Sequence, residues 1–125
     1  MDRKKRILLV DDEASFTRLM KLNLESNAEY EVHIENDGSK AVSTARSFQP
    51  DLILLDVIMP DIDGGEVASK LGADPKLKNV PVVFLTAVVS KNEVIEHGDM
   101  IGGRQFLAKP VTVADVKRTI EKLVP

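Results

Sequence analysis

The stretch Leu52-Ile53-Leu54-Leu55-Asp56-Val57-Ile58-Met59-Pro60-Asp61-Ile62-Asp63-Gly64 decides the fold. Its first four residues form a continuous apolar run that ends on an acid. Pro50-Asp51 bounds the run on one side and turn-forming residues bound it on the other. That pattern reads as a strand buried on both faces, as strands of a parallel sheet are. A second such run, Ile7-Leu8-Leu9-Val10, ends on Asp11-Asp12, and a third is Val82-Val83-Phe84-Leu85. Gln105 to Ala108 is a shorter strand that runs into Lys109-Pro110. Glu31-Val32-His33-Ile34-Glu35 alternates instead, which predicts an edge strand with one wet face.

Between these runs the apolar spacing turns helical. Phe16, Leu19, Met20 and Leu24 make one inner stripe, and Ala41, Val42, Ala45 and Phe48 make another. A short helix is expected from about Glu66 to Leu71, after a loop from Asp61 to Gly65. Asp74-Pro75 to Pro81 reads as a polar connection. Ser90 and Glu93 have capping-box spacing for a helix that Gly98 weakens. Thr112 and Asp115 open a last helix with Val113, Val116, Ile120 and Leu123 inside. Strand–helix alternation with short links implies a parallel sheet covered on both faces through right-handed crossovers.

Ligands of an open parallel sheet bind outside the carboxyl ends of its strands. Asp11-Asp12, Asp56 and Lys109-Pro110 all follow strands, so all can meet there. Crowded carboxylates repel one another. A hard divalent cation with oxygen ligands relieves that repulsion, and Mg²⁺ suits two or three carboxylates with waters and a phosphate. The pattern reads as a site where an aspartate is phosphorylated.

Composition narrows the function classes. The chain has 125 residues, 43% hydrophobic and 30% charged, which is one globular domain with a real core. It has no cysteine, so disulfides and thiolate chemistry are excluded. A net charge of −3 gives no nucleic-acid footprint, and no apolar run is long enough for a membrane span. Met1-Asp2-Arg3-Lys4-Lys5-Arg6 is basic, but the apolar run behind it is too short for a signal peptide. A cytoplasmic protein is expected, without direct contact to nucleic acid or membrane.

Four pieces of the chain, each at a strand end and in order, resemble the receiver domain of two-component response regulators. They are Asp11-Asp12, Asp56 with its Met59-Pro60-Asp61-Ile62-Asp63-Gly64 continuation, Thr86-Ala87, and Phe106-Leu107-Ala108-Lys109-Pro110. The resemblance extends over essentially the whole chain, and implies one receiver domain over residues 1–125. It also implies an α/β flavodoxin-like (βα)5 fold, a doubly wound parallel five-stranded sheet in the order 2-1-3-4-5. That order comes from the resemblance; spacing alone does not supply it.

The resemblance assigns roles residue by residue. Asp56 is expected to be the phosphoacceptor. Alone, an aspartate after a strand reads as a turn former or helix cap, but the continuation after Asp56 reverses that. Asp12 is expected to ligate Mg²⁺ directly, Asp11 through a water, and the Ile58 backbone carbonyl as a third protein ligand. Asp11-Asp12-Glu13 also reads as an acidic lead-in that complements the dipole of the following helix. Lys109 is expected to be the phosphate's counter-charge and to sit near Asp56 beforehand, aimed inward by a cis peptide bond to Pro110. Thr86 and Phe106 are the expected switch pair: the hydroxyl moves to the phosphoryl group and the ring turns inward behind it. Phe106 lacks a tyrosine hydroxyl, so a core phenylalanine buried in both states is the alternative. Ile58 and Val88 lie two residues beyond Asp56 and Thr86, where side chains flank the hydrolytic water's path in related receivers. Both are apolar and cannot orient a water, so slow autodephosphorylation is expected. His33, on the edge strand, and His97, on a weak helix, have no acidic or histidine partner in sequence, so no catalytic role is expected for either.

The expected partners are a sensor histidine kinase or phosphotransfer protein and an unidentified downstream protein or output domain. Monomer and phosphorylation-dependent dimer both remain open. Gly98, Gly102 and Gly103 loosen the region that carries the output face in this family. Three other readings compete. A haloacid-dehalogenase-like phosphatase also forms an aspartyl phosphate, but it wants Asp-x-Asp where this chain has Ile58, and it needs room for a capping domain. A flavodoxin-like cofactor binder needs a Ser/Thr/Gly-rich loop after strand one, where Asp11-Asp12-Glu13 would repel a phosphate. A degenerate receiver acting only as a binding module is opposed by the complete acidic set.

Overall fold

The computed structural model describes residues 4–59, 62–86, 100–101 and 104–124. Five parallel strands form one sheet: β1 (Lys5–Val10), β2 (Tyr30–Glu35), β3 (Leu52–Asp56), β4 (Val82–Thr86) and β5 (Arg104–Ala108). Their order is β2-β1-β3-β4-β5, as expected. A two-residue strand, Met100–Ile101, adds antiparallel to the outer edge of β5. Four helices are described: α1 (Ala14–Glu25), α2 (Ala41–Phe48), α3 (Gly64–Ala73) and α4 (Val113–Leu123). The helix expected around Ser90 and Glu93 lies outside the described residues, as do His97, Gly98, Gly102 and Gly103.

The central strands are buried from both sides because their apolar runs are unbroken. Ile7 to Val10 and Leu52 to Leu55 are all 0% exposed. Each such side chain contributes about 1.5–3 kcal/mol relative to an exposed one. The pleat then sorts them by parity. Leu8, Val10, Ile53, Leu55 and Phe84 pack with Ala41, Ala45, Phe48, Val67 and Leu71 under α2 and α3. Ile7, Leu9, Leu52, Leu54, Val83 and Leu85 pack with Met20, Leu24, Val116 and Ile120 under α1 and α4. β2 alternates buried and exposed residues from Tyr30 to His33, as an edge strand with one wet face does.

The open edge of β2 is not left bare. Glu25 accepts a hydrogen bond from the Val32 N–H at 2.9 Å, and Lys21 donates to the Val32 carbonyl at 2.8 Å. These side chains, themselves 3.6 Å apart, take the place of a neighbouring strand.

Several local expectations are corrected. Leu19 is 59% exposed, not part of the inner stripe of α1. Thr17 takes the inner position with Met20 and Leu24, because its hydroxyl donates to the Ala14 carbonyl and accepts from Asn36. Within the expected 61–65 loop, Ile62–Asp63 instead pairs antiparallel with Ile58–Met59. α3 starts at Gly64, ahead of Glu66, because the Asp63 side chain caps it by accepting from the Gly65 N–H. The 74–81 connection is not wholly polar either, since Leu77 is buried in the core. Thr112 and Asp115 do form a capping box on α4.

Candidate functional site

Strand register brings the expected pieces to one end of the sheet. Val10 pairs with Leu55, so the chain leaves β1 and β3 side by side, carrying Asp11 and Asp56 with it. Asp56 pairs with Leu85, and Thr86 pairs with Ala108, which puts Lys109 at the same end. Asp11 is fully buried and Asp56 is 5% exposed, while Asp12 is exposed. One carboxylate oxygen from each of Asp11, Asp12 and Asp56 lies within 4.8 Å of the others.

Lys109 enters this cluster from β5. Its Nζ lies 2.6 Å from Asp11 Oδ2, 3.0 Å from Glu13 Oε1 and 3.6 Å from Asp56 Oδ2. The ammonium also sits 4.9 Å from the centre of the Phe16 ring. Burial lowers the lysine's pKa, but hydrogen bonds to Asp11 and Glu13 and the charges of Asp11 and Asp56 outweigh it. The net shift is upward, so Lys109 stays charged. The Lys109–Pro110 peptide bond is cis.

Two supports hold the acids in place. Asn36 donates to the Asp11 carbonyl at 2.7 Å and to Thr17 Oγ1 at 3.0 Å, tying the end of β1 to α1. Asp11 Oδ1 accepts the Glu13 N–H at 3.0 Å, so Asp11 supports the start of α1 while its other oxygen meets Lys109. Behind Asp56, the Gly64 N–H donates to the Val57 carbonyl at 3.1 Å. A Cβ on Gly64 would lie 2.6 Å from the Asp56 carbonyl oxygen and 2.6 Å from Val57 Cα. Only glycine lets the start of α3 lie this close to the end of β3.

Asp11, Asp12, Asp56 and Lys109 thus come together. Phe106 is 1% exposed and packs in the core under α2 and α3. Thr86 is in place at the end of β4 by its backbone; its side chain lies outside the described residues, as do Pro60, Asp61, Ala87 and Val88. Ile58 lies two residues after Asp56 and pairs antiparallel with Asp63. His33 stacks near Phe48, with ring centres 5.1 Å apart, on the β2 edge and apart from the acids. Glu13, Asn36, Thr17 and the close approach at Gly64 did not enter the sequence reasoning as site features. Glu13 had one legible signal, its adjacency to the acidic pair. The others depend on contacts between distant segments.

Known proteins resemble this chain in sequence and in fold. The model of the response regulator receiver domain matches residues 7–121. The chain is 35% identical over 119 residues to the DNA-binding dual master transcriptional regulator RpaA of Synechocystis, covering 95% of this chain and 48% of that protein. It is 42% identical over 106 residues to the response regulator PleD of Caulobacter vibrioides, covering 85% of this chain and 23% of PleD. The chain therefore spans about half or less of the length of these relatives. Among solved structures, the chemotaxis protein CheY4 of Vibrio cholerae superposes with a TM-score of 0.81 at 27% identity, covering 97% of this chain and 99% of that one. The buried acids, the inward lysine and this breadth of similarity agree: the chain belongs to the response regulator receiver domain family.

Proposed function

We propose that Asp56 is the phosphoacceptor of a two-component phosphorelay, and that phosphorylation there alters the surface offered to a partner. The observation that carries this reading is the convergence of Asp11, Asp12 and Asp56 within 4.8 Å, with the Lys109 ammonium 3.6 Å from Asp56. An Asp56 carboxylate oxygen forms the new O–P bond as the donor imidazole's N–P bond breaks, and the imidazole takes up a proton. Phosphoryl transfer needs little covalent help beyond alignment and charge compensation, so a weak carboxylate nucleophile is enough.

The donor set is all oxygen and carries more negative charge than Lys109 cancels, which suits Mg²⁺. Asp12, Asp56 and the Ile58 carbonyl would hold the ion, with Asp11 acting through a water. The ion would supply charge compensation for the incoming phosphoryl oxygens. Lys109 supplies a second positive charge from the end of β5. Thr86 is the hydroxyl that answers the phosphoryl group, and Phe106 is its aromatic partner. Phe106 is already buried, which favours the version in which the ring stays in the core.

The donor is a sensor histidine kinase or phosphotransfer protein, and the receiver of the signal is a protein partner or an attached output domain. The chain's place is the cytoplasm; among the described residues, no helix is long and apolar enough to cross a membrane. The chain acts as a switch, with no more catalysis than phosphorylation of itself from small donors and slow loss of the phosphoryl group.

Beryllofluoride with Mg²⁺ tests the site without turnover. Fluorine NMR should show a bound complex with the wild type and none with Asp56→Asn; an identical complex on both would reject Asp56. Ile58 and Val88 give the rate expectation. Substituting polar residues at both should speed phosphoaspartate decay, and an unchanged decay rate would refute their role.

A further inference from the structure

We infer that Glu13 is a positioning residue that holds the Lys109 ammonium back on the Asp11 side of the pocket, in competition with Asp56. This rests on the reading of Asp56 as phosphoacceptor.

Glu13 occupies the N-cap position of α1, yet its side chain makes no capping hydrogen bond. A negative charge at that position is favourable to the helix dipole without a capping hydrogen bond. Here the Glu13 N–H itself is taken by Asp11 Oδ1, and the Glu13 side chain turns to Lys109 instead. The ammonium is graded among three acids: 2.6 Å to Asp11, 3.0 Å to Glu13 and 3.6 Å to Asp56. Lys109 can donate three hydrogen bonds. The two shortest contacts go to residues that are not the acceptor. The Phe16 ring supports the same position.

Asp11 is fully buried and fixed by its own backbone contacts, so it is a constant partner. Glu13 is different. Its side chain is 60% exposed, so the contact can open at low cost. It is the member of the set that can release the lysine when a phosphoryl group on Asp56 offers a stronger, doubly charged partner. Glu13 then slows phosphoryl capture in the resting protein, because the lysine must leave it first.

The test is a double-mutant cycle read by initial phosphorylation rate with acetyl phosphate and Mg²⁺. Glu13→Gln should raise the maximal rate about two- to fivefold, the range that an exposed ion pair supports. In a Lys109→Met background, which keeps an unbranched apolar side chain and removes the charge, Glu13→Gln should leave the rate unchanged. An equal acceleration in that background would show that Glu13 merely repels the anionic donor, and would overturn the proposal. So would an unchanged rate in the single variant. A second readout needs no phosphorylation: nitrogen NMR of the Lys109 ammonium should show faster proton exchange in Glu13→Gln than in the wild type. Equal exchange rates would also refute the contact's role. If the wild type fails to label on Asp56, the phosphoacceptor reading fails, while the NMR comparison still decides whether Glu13 holds the lysine.

Discussion

Replacing Gly64 by alanine perturbs the site without touching any charged group. The added methyl would lie 2.6 Å from the Asp56 carbonyl oxygen, 2.6 Å from Val57 Cα and 2.9 Å from the Val57 carbonyl oxygen. All three are backbone atoms of the segment that carries Asp56, so no side-chain rotation can relieve the contact. Either α3 lifts away from the sheet, or the end of β3 moves. Overpacking of this kind costs about 1–3 kcal/mol, and rigid backbone on one side puts Gly64→Ala at about 2–3 kcal/mol. For a domain of this size that lowers the thermal midpoint by roughly 6–15 °C. Gly65→Ala is the matched control. Among the described residues its methyl would come nearest to the Asp63 carboxylate, at 3.3 Å, and a side chain can yield by a few tenths of an ångström. Alanine's better helix propensity offsets that crowding, so a change within about 1 kcal/mol is expected. Urea unfolding of the two variants, with phosphorylation rates measured well below the transition, reads both effects. Gly64→Ala should lose stability and phosphorylate more slowly even in its folded fraction. Equal stability of the two variants would refute the close-approach argument.

Other regions give further expectations. Removing the cover of the sheet edge with Lys21→Ala and Glu25→Ala frees the Val32 N–H and carbonyl; amide exchange at Val32 should accelerate selectively, with self-association rising in sedimentation experiments. Unchanged exchange at Val32 would show that the two side chains do not protect the edge. Asp74 has a lowered pKa, first because Arg46 hydrogen-bonds its carboxylate and next because the Lys76 N–H does. A carboxyl group with a depressed folded pKa stabilises the fold above its unfolded value near 3.8 and loses that contribution as pH falls through the folded value. Arg46→Ala should therefore flatten the acid limb of the stability curve below about pH 4, and an unaltered limb would contradict the pairing.

The sequence was most informative where one physical rule acted alone. Ile7 to Val10 and Leu52 to Leu55 read as doubly buried strands and are so, and the alternation around Glu31 to His33 marks the edge strand. Helix phase was harder. Leu19 looked like an inner residue on spacing, but Thr17 outcompeted it by satisfying both Ala14 and Asn36 with one hydroxyl. Hydrophobic periodicity does not register such a polar anchor. At the site, the carboxylates and the lysine were legible because each follows a strand, and parallel strands deliver their ends to one place. Glu13's contact with Lys109 joins residues 96 apart, and the need for glycine at 64 arises from the close approach of α3 to β3. Both are consequences of packing, so no local pattern announces them.

The most direct measurement is the mass and position of the label after incubation with acetyl phosphate and Mg²⁺. The wild type should gain one phosphoryl group, mapped to Asp56, only when Mg²⁺ is present, and Asp56→Asn should gain none. A phosphoryl group that persists in Asp56→Asn, or that maps to another residue in the wild type, would contradict the account.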